Sequence, residues 1–430
     1  MYKRQEINNS SAATTRLTDI LFTSTGRAYA AFSGNCDAGI QGVWTSATGN
    51  GGWVRIAQNG NPGAWNSVGR CVLGQAPSNS NIVYALYVDA AGGTEADLWR
   101  WNLATTSWTN FSAKVPDEPG GLAGNDPFAV QGGYDLVVAA KPDDQDFVVI
   151  GGTNVYSIND INTDPQFERI GGYDGPNTYA LWNNGGGAVH HPDIHALVFD
   201  PFSPETLYSG TDGGVHRTNS ISTTTAANTP WTNLNNDYQS YQYYRVYLDQ
   251  LNGSNRVIGG AQDNGTTVGG TNFGFANNTD HQTVFSGDGA ACAISRDDAC
   301  VPFFMTTQNG NMVRDCPTFT TITPAGSASQ FVTYFHMDPD NNATIYYAGQ
   351  NTIYRTNNST TVTANTWTNM GNTGNIGLTD FFQTFETTRG TYNPSSSYLL
   401  AGGDEGHIFR LDDPQNNNFN AAVDLSLIHI

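Results

Sequence analysis

Two stretches of the chain spell out one four-part pattern in the same order, and this repeat constrains the fold more than any other feature. The first reads ALVFDP at 196–201, ETLYSG at 205–210, GVHRTN at 214–219 and PWTNL at 230–234. The second reads FHMDP at 335–339, TIYYAG at 344–349, IYRTN at 353–357 and TWTNM at 366–370. Weaker copies fill the remainder: VYALY at 83–87 with LWRW at 98–101 and WTNF at 108–111, and FVVIGG at 147–152 with VYS at 155–157. RVIGG at 256–260 precedes QDNGT at 262–266, and LLAGG at 399–403 precedes HIFR at 407–410. With an opening unit near Tyr29 and a degenerate one near Phe304, eight units follow one another at a spacing of about 53 residues.

Each unit reads as three or four short strands. Asp-Gly or Asn-Gly between the second and third suits a two-residue hairpin turn, which needs positive φ. A four-stranded meander recurring every ~40–55 residues is the signature of a β-propeller, because a single twisted sheet cannot cover both of its own faces. Composition agrees: Gly is 48 of 430, aromatics are 12% and charged residues only 13%. Aromatic and β-branched residues favour pleated surfaces, while Gly, Asn, Asp and Ser favour the turns between them. The expected fold is therefore all-β, a propeller of four-stranded blades. About eight units are detectable over residues 6–424 as one repeat domain, from an incomplete ring or from parts of two.

The chain carries 38 acidic against 18 basic residues, a formal charge of −20, with lysine only at Lys3, Lys114 and Lys141. Phosphate contacts need clustered Lys and Arg, so nucleic acid is excluded as a partner. No apolar run reaches the ~18 residues that a membrane-spanning helix requires. The five cysteines (Cys36, Cys71, Cys292, Cys300, Cys316) form no CxxC pair. Two of the last three are close enough in sequence for a local disulfide, and Cys36–Cys71 is a second candidate pair. MYKRQ at 1–5 and LSLIHI at 425–430 read as translated adapter scars, so both ends are expected to be non-native. The missing signal peptide then carries no information, and the composition suits a secreted or cell-surface protein.

The element Arg-Thr-Asn followed by Trp-Thr-Asn resembles the Asp-box, Ser-x-Asp-x-Gly-x-Thr-Trp, of sialidase and sortilin-type propellers. SATGNGGW at 46–53 is nearest to that spacing, with Thr48 in place of Asp and Asn50 in place of Gly. Residues 130–320 are similar to sortilin-like, glycosidase-related propeller proteins secreted by bacteria. The motifs that carry the likeness are QGGYDL at 131–136, HPDIHAL at 191–197, GTDGGV at 210–215, YYRV at 243–246, GGAQDNGT at 259–266 and SGDG at 286–289. The resemblance implies a propeller, secretion and often a multidomain surface protein. It does not imply one activity, since fold-level analogy cannot carry function.

The sharpest constellation is His190-His191-Pro192-Asp193-Ile194-His195. On a strand, His191, Asp193 and His195 would alternate onto one face, where two imidazoles and a carboxylate could hold a metal. The same residues would equally form a structural hydrogen-bond network. Asp212, Gln262, Asp263, Asn264, Asp288 and Asp404 lie in Gly-rich loops. Such positions serve hairpin chemistry, or together present a ligand-binding face for sugar hydroxyls or calcium. Glycoside hydrolysis needs two carboxylates about 5–10 Å apart; Asp193 with Asp263 or Asp288 is the candidate pair. Two-propeller xyloglucan-active hydrolases divide such a pair between domains. Arg217, Arg355 and Arg410 recur at one repeat position and so read as scaffold, not as a sialidase arginine triad. The tyrosines between Tyr238 and Tyr244 could stack on sugars or pack between blades. The expected role is extracellular binding of a glycan or protein through loops on one face, with glycoside hydrolysis as the alternative.

Overall fold

The computed structural model describes residues 16–89, 94–122, 124–183, 189–222, 229–235, 241–296, 302–316 and 318–425. Among them are eight four-stranded antiparallel sheets, short 3-10 turns and no α-helix. The blades occupy residues 17–57, 71–110, 137–171, 194–233, 243–285, 289–321, 335–372 and 382–424. Every repeat unit seen in the sequence falls on one of them, and each unit's Leu-Tyr-Ser-Gly-like element is the second strand of its blade. One pairing has no counterpart in the repeat: a two-stranded sheet, Trp182–Asn183 with Val189–His190, between the third and fourth blades.

The chain forms two compact units, Met1–Tyr238 and Gln239–Ile430, with four blades each. Within each unit the first strand of a blade lies beside the first strand of the next. The core is divided accordingly into slabs between consecutive blades. Val149 and Ile170 of the third blade pack with Leu197, Leu207 and Trp231 of the fourth. Tyr346 and Met370 of the seventh pack with Phe385 and Phe409 of the eighth. The second strand of the second blade, Ile82–Val88, is covered on both faces and buried along its whole length.

Repeated polar residues bind blade to blade. Trp108 and Trp231 donate their indole N–H to the carbonyls of Ile56 and Ile170 on the preceding blades, at 2.7 and 2.6 Å, and Trp367 donates to that of Ile322, just past the end of its preceding blade, at 2.7 Å. Third-strand arginines reach the following blade: Arg100 pairs with Asp146 at 2.8 Å, and Arg355 donates to the Pro414 carbonyl at 2.6 Å.

The candidate Cys36–Cys71 bridge does not form. Both thiols are free and buried, as is Cys292. Cys36 packs with Ala30, Phe32 and Ile40 in the first blade, whereas Cys71 faces Tyr29, Trp65 and Tyr87 between the first two blades. Cys316 is disulfide-bonded, and Cys300 lies outside the described residues. No helix among the described residues is long and apolar enough to cross a membrane.

Candidate functional site

In each blade the approach to the first strand and the turn between the second and third strands share one end of the sheet. The fourth blade shows why: Ile194, which opens Ile194–Asp200, pairs with Thr211, which closes Ser203–Thr211. Asp193 therefore meets the turn residue Asp212, whose N–H donates to the Asp193 carbonyl at 3.3 Å. Gly214 closes that turn at φ 103, a conformation open to glycine.

Asp193 is not on the strand. It has φ 61, and its N–H and that of Ile194 donate to the Thr153 and Gly152 carbonyls of the third blade. This left-handed step breaks the expected alternation of His191, Asp193 and His195. The His191 ring instead lies against Gly213, where a Cβ would come within 2.3 Å of it. No group of three His, Cys, Asp or Glu residues among the described residues is arranged to hold a metal ion.

What gathers around Asp193 comes from the segment leading into the third blade. Gln131 donates from Nε2 both to Asp135 Oδ2, at 2.9 Å, and to Asp193 Oδ1, at 2.7 Å. Asp135 is fully buried, and its Oδ1 has no hydrogen-bond donor, with His195 Nε2 at 3.9 Å. Burial, then the adjacent Asp193, push the Asp135 carboxyl up to about 8; burial also raises Asp193. Two carboxyl groups in contact cannot both ionise, so the pair retains one proton at neutral pH.

A histidine–carboxylate pair stands beside this acid pair. His195 Nε2 lies 2.6 Å from Asp212 Oδ1, and that bond holds the imidazole pKa above its usual value. Burial pushes Asp212 up, but His195 and Tyr134 together outweigh it and leave the carboxyl below the usual range. The Tyr134 hydroxyl donates to Asp212 at 3.3 Å, while its ring meets the His195 ring edge-on at 4.7 Å. Tyr134 is 50% exposed.

The second unit repeats the simpler part of this arrangement. Asp263 N–H donates to Asp288 Oδ1 at 2.9 Å, and the Tyr244 hydroxyl donates to Gln262 Oε1 at 2.9 Å. Asn264 donates to the Gln262 carbonyl at 3.0 Å. In the eighth blade His407 pairs with Asp380 at 2.8 Å, and Phe381 N–H donates to Asp404. A turn carboxylate tied to the neighbouring strand is thus blade chemistry. The first unit differs in adding Gln131, Tyr134 and Asp135, a group inside the QGGYDL motif that sequence reasoning does not single out as a site. Of the clustered tyrosines, Tyr241 stacks on Tyr243 at 5.7 Å, and Tyr238 lies outside the described residues.

No protein-family model matches the chain, and no curated protein matches it. Solved structures do. An ancestral GH74 enzyme aligns at TM-score 0.50 and 16% identity, over 95% of this chain and 57% of that one. This is a β-propeller chain. A GH74 enzyme from Niastella koreensis aligns at TM-score 0.47 and 14% identity, over 96% and 62%. The GH74 xyloglucanase from Xanthomonas campestris aligns at 0.43 and 12%, over 95% and 70%. The chain thus spans little more than half the length of the ancestral enzyme.

Proposed function

We propose that this β-propeller is an extracellular carbohydrate-binding module, and that Tyr134, His195 and Asp212 form its glycan contact. The observation that carries this reading is the half-exposed Tyr134 ring set beside an ionised carboxylate and an imidazole. An aromatic face covers the apolar side of a sugar ring, and the carboxylate accepts from its hydroxyls. Asp135, Asp193 and Gln131 hold that contact from behind. The disulfide at Cys316 suits an oxidising compartment, and the fold is shared with an ancestral GH74 enzyme.

Hydrolysis fits this cluster less well. Its acid would be Asp135, which no substrate can touch because it is fully buried. Asp135 also contacts Asp193, where glycoside hydrolysis needs carboxyl groups about 5–10 Å apart across a cleft.

The test is titration of the chain with neutral oligosaccharides, β-glucans and xyloglucan fragments among them, with released reducing ends assayed in parallel. Binding without release is expected. Tyr134→Ala should weaken it about thirtyfold, ~2 kcal/mol, as for removal of a central aromatic anchor. Release of reducing ends would establish hydrolysis in place of recognition, and unchanged affinity in Tyr134→Ala would remove the site from this cluster.

A further inference from the structure

The second unit contains a cavity of about 200 Å³ lined by the first strands of all four of its blades. Arg245 and Tyr247 come from Tyr243–Leu248, Cys292 from Gly289–Ile294, His336 from Phe335–Met337 and Glu386 from Phe382–Thr387. Gln250 and Arg389 complete the polar lining.

Its charge pattern runs against that of the chain. With 38 acidic residues to 18 basic ones, a guanidinium group has a surplus of carboxylates to pair with. Arg256 and Arg296 both reach Asp249, and Arg389 grips Asp340 with two bonds of 2.8 and 3.1 Å. Arg245 is exposed and has no ion-pair partner among the described residues, although it lines the same cavity as Arg389. Both guanidinium groups are near enough to His336 to act on it. Burial first, then Arg245 and Arg389, bring that imidazole down to about 4, so it is neutral at pH 7. His336 is fixed by a 2.9 Å bond between its Nε2 and Thr387 Oγ1. The Tyr247 hydroxyl is a buried polar atom without a hydrogen-bond partner. An unpaired cation, an unpaired hydroxyl, a neutral imidazole and an acceptor carboxylate thus converge on one hollow.

We propose that this cavity binds a carboxylate-bearing sugar of the size of one uronic acid, with Arg245 on the carboxylate and Glu386, Gln250 and His336 on the hydroxyls. The volume admits a single hexose-sized ring. An unpaired, planar guanidinium is the side chain best suited to a carboxylate, through two parallel N–H···O bonds. The mixed donors and acceptors opposite it suit a polyol, where a simple inorganic anion would find Glu386 repulsive. This site shares no residue with the Tyr134 cluster, so the two readings stand or fall separately.

The experiment is calorimetric titration of the full chain with D-glucuronate, D-glucose and acetate. Glucuronate is expected to bind, with glucose and acetate each weaker by about tenfold or more. Arg245→Gln should weaken glucuronate about tenfold with the melting temperature unchanged, since Arg245 is exposed and unpaired. Arg245→Lys, which keeps the charge but not the fork, should fall between the two, and Tyr134→Ala should bind glucuronate as the parent does. Glucose binding as tightly as glucuronate would overturn carboxylate recognition, and acetate binding as tightly would overturn the sugar. Absence of glucuronate binding, or full affinity in Arg245→Gln, would overturn the site itself.

Discussion

Trp231→Ala is expected to destabilise the first unit by about 3–5 kcal/mol, the range for removing a large aromatic side chain from a packed core. Trp231 is 3% exposed and belongs to the slab between the third and fourth blades. Its ring centroid lies 4.3 Å from that of His190, and its indole N–H donates to the Ile170 carbonyl of the previous blade at 2.6 Å. Alanine would leave a cavity against His190 and a buried carbonyl without a donor. Trp231→Phe keeps most of the volume and loses only the donor, so it should cost about 1–3 kcal/mol. Chemical denaturation monitored by circular dichroism measures both. The expected order of stability is parent, Trp231→Phe, Trp231→Ala. An alanine variant as stable as the parent would mean that this indole does not join the blades. Trp108 and Trp367 make the same bond but are only partly buried, so their alanine variants should lose less.

The same residues show why the fold could be read from the sequence. A second strand covered on both faces must be apolar along its length, and VYALY, FVVIGG and TIYYAG announce such strands without reference to anything distant. The fourth-strand Trp-Thr-Asn recurs because every blade that carries it makes the same bond to its predecessor. Repetition makes a long-range contact visible locally.

Features that occur once are harder to see. Asp193 sits in HPDIH, which looks like a regular strand; its positive φ is imposed by bonds to Thr153 and Gly152 on another blade. Asp135 gives no signal inside QGGYDL because its significance depends on meeting Asp193, 58 positions later in the chain and on the next blade. Cys36 and Cys71 are near enough in sequence to suggest a bridge, yet the blade geometry sends them into different slabs. The hairpin Trp182–Asn183 with Val189–His190 interrupts the repeat and so has no other copy to expose it.

Asp135→Asn is expected to make the first unit more stable than the parent at pH 8, by on the order of 3 kcal/mol, with the advantage shrinking as pH falls. In the parent both carboxyls of the pair have folded pKa values raised above their unfolded ones, Asp135 to about 8. Between about pH 4 and pH 8 this pair therefore binds more protons in the folded chain than in the unfolded one, and its contribution to stability falls as pH rises through that window. The carboxamide that replaces the carboxyl has no charge to desolvate. Its oxygen can accept from Gln131 Nε2 as Asp135 Oδ2 does, and its amide can donate to Asp193, as the shared proton does in the parent. At about pH 4, where Asp135 is protonated in the parent, the two proteins should be nearly equal. The histidines of the first unit set the slope that remains in the variant: burial holds His190 and His216 below the usual imidazole value, so they add stability as pH rises, and His195 acts in the opposite sense. The raised His195 pKa contributes stability that is present below the unfolded histidine value and lost as pH rises through the folded one. Urea denaturation of both proteins from pH 4 to pH 8 measures the difference between them, and a difference that does not widen as pH rises would refute the shared proton. Glycan affinity in the same variant separates two roles for the pair. Affinity retained in Asp135→Asn means that the carboxyls only position Tyr134, His195 and Asp212. Affinity lost while stability rises means that the proton between Asp135 and Asp193 takes part in recognition.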